Sequence, residues 1–376
     1  MHLLRVNDNE LAREFVELPH RLHRQARRFS RAQQKHILAL IKRKDSFFEQ
    51  EGEAEFWILA NFRGETIGRI AAFVFKNSSQ GYVGLFDCIN HLKAASMLFD
   101  QCKTWLQKFE IKTMEGPFNT MPFQLEGLAM DNKLQQSVPF VNIQSIFFTD
   151  LFEFYGFKNF RTQQLLSFEG GKKIITHSGV NNFSDDADYE VLKVDKTNIT
   201  RATKAIVEVY SAVKGQKTHL GSENDLLPWL AALVNQHLPP LIWVVYHKSE
   251  AIAFIINVMI DTPQEITDNE KLTIWQQITL RFAPQHKSLL NLGLYVVPNY
   301  SDQEIEKRLL KLLEDTIEKD SSYKFDQFLI IDKYLSNIPS VLNDGVIIDK
   351  FVKFKYKFDQ EPLIGTFAKS KIISPE

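Results

Sequence analysis

The feature that most constrains this chain is an order of elements that occurs twice. From residue 55, Trp57, Leu59 and Ala60 run into a turn at Arg63, Gly64 and Glu65, and Ile67, Ile70, Ala72 and Val74 lead out of it. Aromatic and branched residues around a Gly-bearing turn predict a hairpin. Tyr82 to Cys88 reads as a short apolar strand, and Leu92, Ala95, Leu98, Phe99, Cys102, Leu106 and Phe109 then recur at helical spacing. A further strand follows and ends at Glu115. The same order returns from Leu241: a hairpin to Ile260 with Trp243 where Trp57 stood, an apolar strand over 288–297, a helix from Ser301 to Glu318, and a strand from Phe325 to Ile331. Each copy closes alike. Phe147 to Tyr155 reads as a short helix stopped by Gly156 and followed by a final strand to Phe168; Val341 to Gly345 and a strand to Phe358 repeat it. A repeated order of elements predicts a repeated domain. Two sheets of matching connectivity are therefore expected, in units 1–168 and 189–376, joined by a Gly, Ser, Asn and Asp-bearing linker over 169–188. Two unrelated α/β domains are the competing organisation. With 376 residues the chain exceeds one ordinary core in either case.

The rest of the chain fills in this frame. Leu3 to Val6 reads as an opening strand, and Asn9 as the cap of a helix carrying Leu11, Phe15, Val16 and Leu22. Between His20 and Lys44 lie Arg21, Arg24, Arg27, Arg28, Arg31, Lys35, Lys42, Arg43 and Lys44 without one acid. Such a run is either a solvated helix face or a patch that attracts phosphates. His20 and His23 sit one helical turn apart, but no acid or Cys nearby completes a metal site, so none is expected. Residues 117–147, with Asn119, Gln124, Glu126 and Asn142, form a long irregular section, a lid or a plain surface excursion. Phe occurs 30 times, so aromatic packing should dominate the cores. A net charge of −1 implies no overall attraction to nucleic acid or acidic membranes. Only Cys88 and Cys102 are present, which fits buried thiols in a reducing cytosol. Neither a signal peptide nor a membrane span is read, and a cytoplasmic location is expected.

The runs Gly68-Arg69-Ile70-Ala71-Ala72, Gly84-Leu85-Phe86-Asp87-Cys88 and Gly116-Pro117-Phe118-Asn119 together carry a resemblance. Leu18-Pro19-His20-Arg21-Leu22 and Asp45-Ser46-Phe47-Phe48-Glu49 extend it upstream, and Leu151-Phe152-Glu153-Phe154-Tyr155-Gly156-Phe157 ends it. In this order they resemble a bacterial branch of the GNAT-type N-acyltransferases over most of residues 1–168. The fold implied is α/β (α+β): two tandem GNAT-like domains, each a mixed, mostly antiparallel sheet flanked by helices. The activity implied is transfer of an acyl group from acyl-CoA, such as acetyl-CoA, to a small-molecule or peptide amine by direct attack on the thioester. Two other readings stay open: a degenerate pair serving as a ligand-binding or interaction module, and a tandem transferase with a donor other than CoA.

Such a site needs backbone amides for the pyrophosphate, an N–H for the thioester oxyanion, and a route for the amine proton. The resemblance places donor contacts at Phe86, Cys88, Asn90, His91, Leu92, Lys93 and Ala94. The segment Ile89 to Ala94 lacks the Gly residues usual in the family's phosphate loop. The family's Tyr, four residues before the Gly of the short helix, is Phe152 here and Val341 in the second half, which leaves Tyr155 as the candidate acid. Asp87, at the end of the central strand, and Glu115, before Gly116-Pro117, are candidate bases facing one cleft. The bland readings are a solvated or capping Asp87 and an exposed His91 and Lys93. In the second half Ser301 and Glu304 read as a capping box, and Asp302, Glu304 and Glu306 add negative charge. That half is expected to be closed to the donor.

Overall fold

The computed structural model describes residues 1–22, 31–44, 48, 52–76, 78–118, 120, 123, 127–130, 145, 147–169, 182–183, 186–214, 223–235, 240–262, 286–320, 323–331 and 346–359. The first half contains β1 (His2–Arg5), α1 (Asn9–Leu22), α2 (Arg31–Ile41), β2 (Gly52–Ala60), β3 (Thr66–Phe75), β4 (Gly81–Cys88), α3 (Leu92–Gln107), β5 (Thr113–Phe118), the two-residue β6 (Leu128–Ala129), α4 (Phe148–Tyr155) and β7 (Lys158–Glu169). The second half contains β8 (Tyr189–Lys193), α5 (Ile199–Lys214), α6 (Glu223–Val234), β9 (Leu241–His247), β10 (Glu250–Thr262), β11 (His286–Val296), a 3-10 turn (Pro298–Gln303), α7 (Ile305–Lys319), β12 (Gln327–Ile331) and β13 (Val346–Lys357).

Local chemistry accounts for several of these boundaries. The Asn61 side chain accepts from the amides of Arg63 (2.8 Å) and Glu65 (3.0 Å) and so folds the β2–β3 turn, with Gly64 at φ +80. The cap of α1 is Asp8, which accepts from Leu11 N–H at 2.8 Å, one residue before the expected Asn9. Gly156, at φ +108, ends α4 in the left-handed conformation that glycine adopts without a Cβ penalty.

The sheet repeats its pairing pattern. In the first half β1, β2, β3 and β4 run antiparallel in turn and β4 lies parallel to β5. In the second, β8, β9, β10 and β11 run antiparallel and β11 lies parallel to β12. The expectation of two sheets, each closed by its own last strand, is corrected at the centre. β13, from the second half, pairs with β5 of the first, and β7, from the first, pairs with β12 of the second. β7 and β13 also pair with each other, so one 13-stranded sheet results, with β6 beside β13.

The cores follow from this crossing. α3 and α4 cover one face of the first half, burying Leu98, Phe99, Phe148 and Phe152 against Phe86 and Cys88. α1 and α2 cover its other face, with Phe15, Ile37 and Leu40 against Phe56 and Phe73. In the second half α5 and α6 pack on one face and α7 on the other. β13 serves both halves: Phe351 joins the α5–α6 core, whereas Val352, Phe354 and Tyr356 join the α3–α4 core. Phe123, from the irregular section of the first half, is buried against Tyr210, Trp229 and Phe254 of the second. Asn119, Gln124, Glu126 and Asn142 lie outside the described residues. Phe183, in the expected linker, packs in the α7 core instead, with Arg308 over its ring at 4.3 Å. Within the basic run, Arg21 bonds Glu14 at 2.7 Å and Arg43 pairs with Glu53; His23, Arg24, Arg27 and Arg28 lie outside the described residues.

Candidate active site

The site is set by the place where β4 leaves β5. Their parallel pairing runs Gly81–Met114, Tyr82–Glu115 and Gly84–Phe118, and goes no further. On the other edge of β4, the pairs Arg69–Asp87 and Ala71–Gly84 leave Leu85 and Phe86 opposite Ile70 alone. This is a β-bulge, a device that bends a strand and re-aims its backbone. Leu85 sits at φ +49, a left-handed conformation that costs a leucine about 1–2 kcal/mol and persists only where its surroundings enforce it. Beyond the bulge, the β4 edge that faced β5 has no strand partner among the described residues.

Glycine is required at the apex. A Cβ on Gly84 would stand 2.3 Å from the Phe118 carbonyl oxygen, and one on Gly116 would stand 2.6 Å from Val83 Cγ2. The first contact is with backbone and has no side chain to yield. Gly84→Ala is expected to destabilise the protein by about 3 kcal/mol, read by chemical denaturation, because β4 and β5 must part to admit the methyl group. A variant within about 0.5 kcal/mol of the parent would refute this account of the apex.

After β4 the chain enters α3. His91 caps this helix: its Nδ1 accepts from Ala94 N–H at 3.2 Å. The first turn carries no acid, and Asn90, His91, Leu92 and Lys93 are exposed. Ala94 and Ala95 are buried against the sheet, so their small size serves helix packing and not the approach of a ligand. The matching turn of the second half differs from expectation. Pro298 starts a 3-10 turn, Ser301 Oγ donates to the Pro298 carbonyl at 2.9 Å, and Glu304, at φ +54, precedes α7 without a side-chain cap. No capping box forms, and Glu304 pairs with Lys307 at 2.6 Å. The acids at Glu304 and Glu306 remain at that helix end.

The three candidate catalytic side chains are brought together by neither strand nor helix. Asp87 is buried and bonded to Arg69, Oδ2 to Nε at 2.7 Å; Arg69 in turn donates to the Phe15 carbonyl at 2.7 Å and lies under the Phe15 ring. Burial lowers the Arg69 pKa and the Asp87 charge opposes that shift. Glu115 stands opposite Tyr82, five residues back along β4 from Asp87, or roughly 16 Å at the usual strand rise. It bonds Lys355 Nζ of β13 at 3.0 Å. The expected shared cleft of the two carboxylates is therefore corrected: β5 continues to Phe118, so Glu115 sits near its start and not at its end. The Tyr155 hydroxyl donates to Asp100 Oδ1 at 2.7 Å and ties α4 to α3. Burial, and then that partner, hold its pKa far above the usual phenol range. The side chains of Phe86 and Cys88 point into the α3–α4 core, where Phe86 stacks on Phe99 at 5.0 Å. The Cys88 thiol is pushed up to about 12 by burial and by Asp87. Of these two residues only the backbone is available to a donor.

Reading the sequence missed Arg69, Asp100 and the conformation of Leu85. A signal for Arg69 was present: a lone charge in the apolar run Gly68 to Phe75 requires a buried partner. Among the described residues, no group of three His, Cys, Asp or Glu side chains is placed to hold a metal ion, and no helix is long and apolar enough to cross a membrane.

No family model matches the chain, and neither does any curated protein. Solved structures do. A tandem GNAT protein from the clavulanic acid biosynthesis pathway aligns over 96% of this chain and 99% of its own, with a TM-score of 0.50 and 10% identity. A protein of Enterococcus faecalis described as a probable N-acyltransferase aligns over 95% and 72%, with a TM-score of 0.51 and 10% identity. A GCN5-related N-acetyltransferase from Anabaena variabilis aligns over 95% and 73%, with a TM-score of 0.51 and 9% identity. At such identities the likeness is one of fold. It spans both halves, so the chain has a tandem GNAT fold.

Proposed function

We propose that the protein is an N-acyltransferase that moves an acyl group from an acyl-CoA thioester to an amine, with the donor held by the first half. The observation that supports this most is the coincidence of the Leu85–Phe86 bulge with the point where β4 loses β5. A strand edge freed there offers backbone N–H groups to a thioester oxygen, the arrangement that stabilises a tetrahedral oxyanion. The exposed, acid-free first turn of α3 suits the donor's phosphates, with Lys93 as countercharge and a helix N-terminus behind it. His91 already satisfies Ala94 N–H, so a phosphate must share or displace that cap. In the reaction the amine nitrogen forms the C–N bond, the C–S bond breaks, and the CoA sulfur leaves. Asp87, Glu115 and Tyr155 each have a partner of their own, which leaves water to carry off the amine proton. On this reading residues 1–168 form the donor-binding unit and 189–376 the supporting one.

Acetyl-CoA is expected to raise the melting temperature and to be retained in native mass spectrometry. Lys93→Glu should weaken its binding about tenfold without changing the melting temperature of the free protein. No retention of acetyl-CoA by the parent chain, or equal retention by Lys93→Glu, would overturn the assignment. Ala94 is buried and is no substitute test. A second reading has its own support. Phe99 against Phe152 at 4.9 Å and the Tyr155–Asp100 bond close α3 onto α4, which favours a degenerate pair that binds a ligand or partner without acyl transfer.

A further inference from the structure

We infer that the crossing of β7 and β13 carries an ammonium-binding site, built from Gln163 of one half and Asp349 of the other, that receives the amine acceptor. Gln163 is 3% exposed, and among the described residues neither its Oε1 nor its Nε2 has a hydrogen-bond partner. Buried amides are nearly always bonded, and one left open on both atoms calls for an explanation. Leu165, two residues on, pairs with Asp349, and Gln163 pairs with Phe351. Leu165 and Phe351 belong to one core cluster, so by strand alternation Gln163 and Asp349 face that same side. They are diagonal cross-strand neighbours, roughly 7–8 Å apart at the backbone. Asp349 is fully buried, and its Oδ1 accepts from Lys350 N–H at 2.8 Å.

The chemistry of the pair selects its ligand. An ammonium has three donors and a positive charge. Two acceptors each about 2.8 Å from one nitrogen stand up to about 5.6 Å apart, a span that side chains at diagonal positions reach. The carboxylate supplies countercharge, Gln163 Oε1 accepts a second N–H, and Gln163 Nε2 is left to donate to an oxygen on the same molecule. An alcohol brings one donor and no charge, and fits less well.

The position suits an acceptor. Counting on from the Phe354–Gly116 pair, Asp349 lies past the end of β5, on the side to which the β4–β5 splay opens. Ile331, the last residue of β12, pairs with Leu165, so Gln163 lies past the end of that strand too. The pair thus lies past the ends of β5 and β12, with β6 beside β13 at Phe351 and Val352, on the two strands that the halves exchange. The amine's fate as an acyl acceptor rests on the acyl-transfer reading above; its binding does not.

The test uses the full chain, labelled with nitrogen-15, and n-butylamine at pH 7 with n-butanol as the uncharged comparison; no donor is added. The Gln163 side-chain amide signal is assigned by its loss in Gln163→Met. It is expected to move saturably with n-butylamine, to stay in place with n-butanol, and to stop responding in Asp349→Asn. Gln163→Met should melt higher than the parent, because an apolar side chain of similar size replaces an unbonded buried amide. An unmoved signal with the amine, or an equal response to the alcohol, would overturn the site. A lower melting temperature for Gln163→Met would do the same, by showing that Gln163 is structural. Should Asp349→Asn not fold, the parent and Gln163→Met arms still decide. A failure to bind acetyl-CoA would count against the donor site and leave this result standing.

Discussion

A chain ending at residue 345 is expected to lose the cooperative fold of the first half, although every strand of that half up to β7 is still present. β13 lies between β5 and β7 and buries Val352, Phe354 and Tyr356 in the α3–α4 core. Each large apolar side chain buried is worth about 1.5–3 kcal/mol, so the joint loss of these three approaches roughly 4.5–9 kcal/mol. That matches the whole stability of an ordinary domain, about 5–15 kcal/mol. Circular dichroism and thermal melting of residues 1–345 would show the loss, and a peptide of residues 346–358 added in trans should restore part of it. An unchanged melting curve for the shortened chain would refute the role given to β13.

The second large effect concerns Asp87. Asp87→Asn is expected to destabilise the protein by about 3–5 kcal/mol, since it strands a buried guanidinium. Arg69 also donates to the Phe15 carbonyl and lies under the Phe15 ring, so the loss should loosen α1 from β3 and β4. Replacing both partners, as Arg69→Met with Asp87→Leu, should recover most of the stability, because neither charge is then left buried alone. Urea denaturation of the two variants separates the cases. If Asp87→Asn unfolds within about 1 kcal/mol of the parent, the pair is not a structural anchor and a chemical role for Asp87 returns.

Periodicity revealed the elements far better than their neighbours. The alternation in β7 and β13 assigns faces, and the described boundaries fall close to those read from the sequence. It cannot say which strand lies alongside, because a period of two is satisfied equally by a partner from either half. The exchange of β7 and β13 was therefore invisible. The carboxylates illustrate the same limit. Asp87 and Glu115 were correctly placed on strands, but only the register shows that one meets Arg69 and the other Lys355. Tyr155 was set in the right helix, whereas its partner Asp100 lies on another helix. At the start of α7 the Ser-x-x-Glu pattern is overridden by Pro298, whose ring favours a tight turn there and removes the box.

The exchange of strands also orders events during synthesis. A ribosome delivers β5 and β7 long before β13, so the first half waits with two neighbouring strand edges exposed until nearly the whole described chain has emerged. Exposed edges invite pairing with the wrong strand, in the same chain or in another copy. The second half faces no such delay, because its visiting strand, β7, is made before any of its own. The half made second can therefore close its sheet first, and the half made first is completed by a strand that the other half supplies late.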